Sequence, residues 1–145
     1  MIIVRDVLVI RNPDYEAVVR ASFARQRFMA TLGARLTHVA PGEVHIALER
    51  REDLTQQHGF VHAGVLGAIL DSACGYAALS LMPPGADVLS IEYKLNLLAP
   101  ARGEHFVARG RVVRAGRTVT ACRAEAFTGE GTTPIATLLA SMMTL

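Results

Sequence analysis

Lysine is nearly absent from this chain: of fifteen basic residues, only Lys94 is not an arginine. That bias is read as genome composition rather than function. Thirteen acidic residues bring the formal net charge to +2, too small to predict an acidic partner. Aromatics make up only 6% of the residues, and the arginines are interleaved with acids instead of stacking rings. No nucleic-acid module is therefore expected. The two cysteines, Cys74 and Cys122, have no zinc spacing. Buried thiols in a reducing compartment are expected of them, with a single disulfide as the alternative. No two of His38, His45, His58, His62 and His105 show metal-ligand spacing, so no metal is expected. A Gly-rich phosphate loop and a Gly-x-Ser-x-Gly elbow are both missing, which removes Ser72 as a nucleophile. Cys74 has no basic neighbour to activate it. The opening MIIVRDVLVIRN is broken by a charge and followed by no small-residue cleavage site, so a cytoplasmic location is expected.

What the sequence does have is apolar mass. Hydrophobic residues are 51% of 145, enough for one domain with its own core and too many for disorder. Residues 1–145 read as that single domain, with 1–32 as a strand-and-helix extension. The densest stretch runs from Gln56 to Pro83. Between His62 and Pro83 its one charge is Asp71, set among Val65, Leu66, Ile69, Leu70, Ala73 and Leu79. Length and Ala/Leu content predict a helix stopped at Pro83-Pro84-Gly85. A helix apolar on every side must be enclosed on every side. Protein is the enclosure expected. The span is barely long enough for lipid, no basic cluster flanks it, and an Asp near mid-span costs about 3 kcal/mol to insert. Buried acids are rare unless paired or functional, which singles out Asp71.

The remaining chain supplies the enclosure. Asn12-Pro13 reads as a helix start, and Tyr15, Val18, Val19, Phe23 and Ala30 keep helical spacing up to Gly33. Leu36, His38 and Ala40, the turn pair Pro41-Gly42, then Val44, Ile46 and Leu48 predict a hairpin. After the helix, Leu89, Ile91, Tyr93, Leu95 and Leu97 alternate with Ser90, Glu92, Lys94 and Asn96, the clearest period of two in the chain. Strands near Phe106–Val112, Thr118–Phe127 and Ile135–Leu145 follow, separated by Ala115-Gly116 and Gly129–Gly131. The order is helix, two strands, helix, four strands. It suggests an α+β fold in which one curved antiparallel sheet wraps the central helix. Such a sheet keeps two edges, and pairing with a second copy covers them.

Gln56, His62-Ala63-Gly64, Asp71, the strand SIEYKLNLLAPA from Ser90 to Ala101, and GRTVTACRAEAF from Gly116 together resemble the hotdog-fold acyl-CoA thioesterases of the phenylacetate-degradation (PaaI-like) family. The likeness runs from about Ala34 to the C-terminus; the N-terminal helix matches some members only. It implies a six-stranded sheet around a central helix, a homodimer or dimer of dimers, and hydrolysis of an aryl- or medium/long-chain acyl-CoA. It implies no cofactor beyond the coenzyme A carried by the substrate, and no nucleic-acid or membrane partner.

Thioester hydrolysis needs a base for water or a carboxylate nucleophile, and the resemblance gives Asp71 one of these roles. The alternative for Asp71 is a structural hydrogen bond at an interface. Ala63, at a helix start, offers an unpaired backbone N–H to the thioester oxygen, where the family often has Gly. His62 and Asp71 lie nine residues apart and face opposite ways on one helix. His62 is then either a structural hydrogen bonder or part of a site built from two subunits. Gln56, with Gln57 as competitor, falls where the family holds the thioester or the attacking water. Ser90 falls near the reacting centre, and a merely solvent-facing strand Ser is its alternative. Gly64 and Arg117 are candidates for substrate contact, and Arg102, Arg109, Arg111 and Arg114 for the coenzyme's phosphates. Two other readings stay open: a non-catalytic acyl-CoA binder, and a hydratase or dehydratase of the same fold.

Overall fold

A computed structural model describes residues 8–145. The strand expected at the start of the 1–32 extension lies mostly outside the described residues, and Leu8 to Ile10 carry no regular structure. The Asn12 side chain takes the Asp14 N–H at 3.0 Å and so shapes the turn before the first helix instead of capping it. The single N-terminal helix expected up to Gly33 is two pieces, α1 (Tyr15–Arg25) and α2 (Arg27–Leu32). They are joined at Gln26, whose ψ of 95° is extended. Gly33 ends α2 in the left-handed region, with φ 70°, where glycine is favoured.

The hairpin β1 (Arg35–Ala40) and β2 (Glu43–Glu49) leads through a loop to the central helix α3 (Ala63–Leu79). Four strands follow: β3 (Val88–Leu97), β4 (His105–Ala115), β5 (Val119–Thr128) and β6 (Ala136–Thr144). All pairings are antiparallel, in the order β1-β2-β4-β5-β6-β3. The helix lies on the inner face of this one sheet, as its all-round apolar sequence requires. Leu66, Ile69 and Leu70 are buried completely, each contributing about 1.5–3 kcal/mol relative to exposure.

Small residues on the sheet's inner rows let the helix approach. Ala108, Ala124, Ala126 and Ala136 are fully buried beneath it. At Gly110 the contact is backbone to backbone: an added Cβ would sit 2.4 Å from the Ala73 carbonyl carbon. At the far end the Ser80 hydroxyl takes the Gly42 N–H at 2.8 Å and donates to the Ala77 carbonyl, tying the β1–β2 turn to the helix.

Both edge strands carry a β-bulge that the alternating sequence does not announce. In β3 the register against β6 slips between Ser90 and Glu92. Tyr93, Leu95 and Leu97 pair with Ala140, Leu138 and Ala136 and so face inward. An unbroken alternation would put Ser90 on the outside. The slip instead sets it opposite the buried Met142, on the inner face, and turns Leu89 outward opposite Met143. Lys94 lies in the outer row with Glu92 and Asn96. In β1 the slip falls between Leu36 and His38. Leu36 stays inward, while His38 turns outward to meet His45. β3 is the more open edge: Ile91, Tyr93 and Leu97 are about half exposed, at 53%, 49% and 54%.

Candidate active site

The polar end of the site is built by α3, β3 and the break between α1 and α2. Asp71 projects from α3 toward the bulge, where the Ser90 hydroxyl donates to its Oδ1 at 2.7 Å. Ser90 also contacts Met142 Sδ at 3.3 Å. Burial pushes the Asp71 carboxyl above the usual carboxylate range, and the Ser90 hydrogen bond opposes that shift. The two groups line a cleft of about 130 Å³ with Ser22, Gln26, Ser72, Tyr76 and Asp87. Gln26 donates to Ser72 at 3.3 Å and accepts from the Tyr76 hydroxyl at 3.2 Å. Nothing in the residue pattern points to Ser22 and Gln26 here. On a helix rich in Arg they look like ordinary wet-face residues, and only the break at Gln26 brings them in.

The other end is the start of α3. His62 is its N-cap: its Nδ1 takes the Gly64 N–H at 2.8 Å. A Cβ at Gly64 would lie 3.0 Å from that nitrogen, so the small residue keeps room for the cap. His62 and Gly64 border a side cleft with Phe28 and Leu32, not the one that holds Asp71. The Ala63 N–H has no partner among the described residues and stands at the positive end of the helix. Ala63 lines a cleft of about 410 Å³ with Gln56, Phe60, Leu66, Leu97 and Leu98. Gln57 is exposed and does not line it, which separates the two glutamines. The Gln56 Oε1 takes the backbone N–H groups of His58 and Phe60, fixing the loop and leaving its amide NH₂ for other partners.

Within one chain these two ends do not meet. Ala63 and Asp71 lie eight residues apart on a straight helix, about 12 Å, and open into separate clefts. The chain is similar over 90% of its length to 98% of a thioesterase family protein from Silicibacter pomeroyi, at 50% identity and a TM-score of 0.87. A family model described as the thioesterase superfamily matches residues 58–135, more than half of the chain.

The chain belongs to the thioesterase superfamily.

It is a PaaI-like hotdog protein and a thioester hydrolase. Human acyl-coenzyme A thioesterase 13 is 29% identical over 70% of this chain and 74% of its own. The E. coli PaaI protein from the phenylacetic acid degradation operon, at 15% identity and a TM-score of 0.84, shares the fold over 94% of this chain and 96% of its own.

The arginines of the thioesterase are less of a cluster than their sequence positions suggest. The Arg109 guanidinium lies over the Phe127 ring, 4.6 Å from its centroid, in mid-strand. Arg102 does not line the Ala63 cleft but lies over Phe60, which does, 4.7 Å from the ring centroid. Arg117 is exposed in the β4–β5 turn, at the end of the sheet where Val119 pairs with Met143 and Met143 with Leu89. Cys74 and Cys122 are free and buried, and their mutual hydrogen bond, with burial, pushes the Cys74 thiol far up and leaves it inert. Among the described residues no helix is long and apolar enough to cross a membrane.

Proposed function

We propose that the thioesterase hydrolyses aryl- or medium/long-chain acyl-CoA at sites shared between two protomers. One chain supplies Gln56 and the Ala63 N–H, and the other supplies Asp71 and Ser90. The observation that carries this reading is the placement of the two half-sites at opposite ends of one open edge. Ser90 belongs to the Asp71 cleft and Leu97 to the Ala63 cleft, and β3 runs between them. If β3 pairs antiparallel with its copy about a two-fold axis, each Ser90 end meets the other chain's Leu97 end. Each carboxylate is thereby carried toward the partner's free amide. The half-exposed apolar side chains of β3 are covered by the same contact. Leu89, Val119 and Leu139 on the outer face supply a second apolar contact, suited to a dimer of dimers.

The chemistry follows from the groups. The Ala63 N–H polarises the thioester oxygen and stabilises the oxyanion as it forms. The Gln56 amide holds the carbonyl or the attacking water. With Ser90 on one oxygen, Asp71 has the other available to take the proton of that water, or to attack the carbonyl itself. In the base route, water oxygen bonds to the acyl carbon and Asp71 takes its proton. The C–S bond then breaks, and the proton passes to the leaving thiolate. Arg102, over the Phe60 ring that lines the Ala63 cleft, is placed for a phosphate of the coenzyme.

Co-expression tests the shared site. Asp71→Ala and Gln56→Ala chains are each inactive alone, measured by thiol release from a panel of aryl- and straight-chain acyl-CoA. Mixed dimers recover turnover, because each contains one site with both groups intact. A mixture no more active than its parents defeats the two-protomer site.

A further inference from the structure

A second cluster lies on the opposite face of the sheet, away from α3. The β1 bulge turns His38 outward, directly across from His45, and Glu43 precedes His45 by two residues on the same face. The inward neighbours Val44 and Ile46 are fully buried against the core, so the cluster and the Asp71 cleft lie on opposite sides of the sheet. The His45 Nε2 and Glu43 Oε1 are 2.7 Å apart, and the His38 and His45 rings lie side by side with centroids 4.6 Å apart and planes tilted by 36°. One donor atom from each of the three residues lies within 4.8 Å of the other two.

We propose that His38, Glu43 and His45 form a surface site for a divalent transition ion of the zinc class, bridging β1 to β2. A tetrahedral ion with bonds of about 2.0–2.2 Å places its donors roughly 3.3–3.6 Å apart. The donor atoms, all within 4.8 Å of one another, are close enough for side-chain rotation to bring them to that range. Two imidazole nitrogens and one carboxylate oxygen suit zinc, nickel or copper better than magnesium or calcium. The fourth position is open to water. Arg109 stands opposite His45 in β4, but its guanidinium is turned onto Phe127. The sequence spacing hides the set, because two of its members meet only through strand pairing. The ion would fix the register of an edge strand and would take no part in hydrolysis.

Zinc uptake by the full-length protein tests the site. Equilibrium dialysis near neutral pH should give one Zn²⁺ per chain. His38→Ala, Glu43→Gln and His45→Ala should each weaken binding roughly tenfold or more, and the control His105→Ala should not. Zinc should raise the melting temperature of the wild type but not of His38→Ala. In chelator the two should melt alike, because His38 is exposed and its loss leaves the fold intact. Failure of the wild type to take up stoichiometric zinc overturns the proposal, as does undiminished binding by His38→Ala.

Discussion

Asp71 carries a charge in a place that disfavours it. Its folded pKa is raised by burial, so between the ordinary value near 3.9 and that raised value the folded chain binds more protons than the unfolded one. Stability contributed by this group therefore falls as pH rises through that window. Asp71→Asn should melt at or above the wild type at neutral pH while kcat drops roughly 10²–10⁴-fold. A drop in both would make the residue structural. The Ser90 hydrogen bond lowers the Asp71 pKa, so Ser90→Ala should shift the acid limb of the kcat/KM profile to higher pH. An unmoved limb would separate Ser90 from the titrating group. Asp71 was legible in the sequence because a lone charge in an apolar helix has few explanations. His62 was left between a structural hydrogen bonder and a member of a shared site, and the Gly64 N–H on its Nδ1 agrees with the first.

Elements were legible wherever periodicity governs them, and illegible wherever it slips by one. The alternation in β3 marks a strand correctly, yet a strict alternation puts Ser90 on the wrong face. The bulge between Ser90 and Glu92 reverses that assignment and delivers the hydroxyl to Asp71. The same applies to His38 in β1. The break at Gln26 was equally hidden, since nothing in the local composition forbids a continuous helix. Packing of α3 on β4 depends on a missing side chain. Gly110→Ala drives a methyl into the Ala73–Cys74 backbone, where no flexible atom yields. It should cost about 1–3 kcal/mol or more, lowering the melting temperature by about 3–10 °C in calorimetry. An unchanged melting temperature would mean that the helix shifts freely on the sheet.

At the scale of the molecule, the enclosure of α3 by one antiparallel sheet followed from counting apolar faces, because a helix without a polar side must be covered all round; the strand order β1-β2-β4-β5-β6-β3, with β3 at the edge beside β6, did not. Separate clefts for Asp71 and Ala63 were foreshadowed by the nine-residue spacing of His62 and Asp71 and by the resemblance, which favours an oxyanion end from one chain and a carboxylate from the other. The open edge of β3 also places the chain's one lysine. Facing residues of paired strands share a side, so a register joining the Ser90 and Leu97 ends sets Lys94 against its own copy on the outer side. The two amines would then stand across the symmetry axis, with a Glu92 carboxylate two residues from each. A short two-headed amine reagent should weld protomers into a covalent pair with high yield, and Lys94→Arg should abolish the product. The scarcity of lysine would thus make a dimer paired through β3 readable on a denaturing gel.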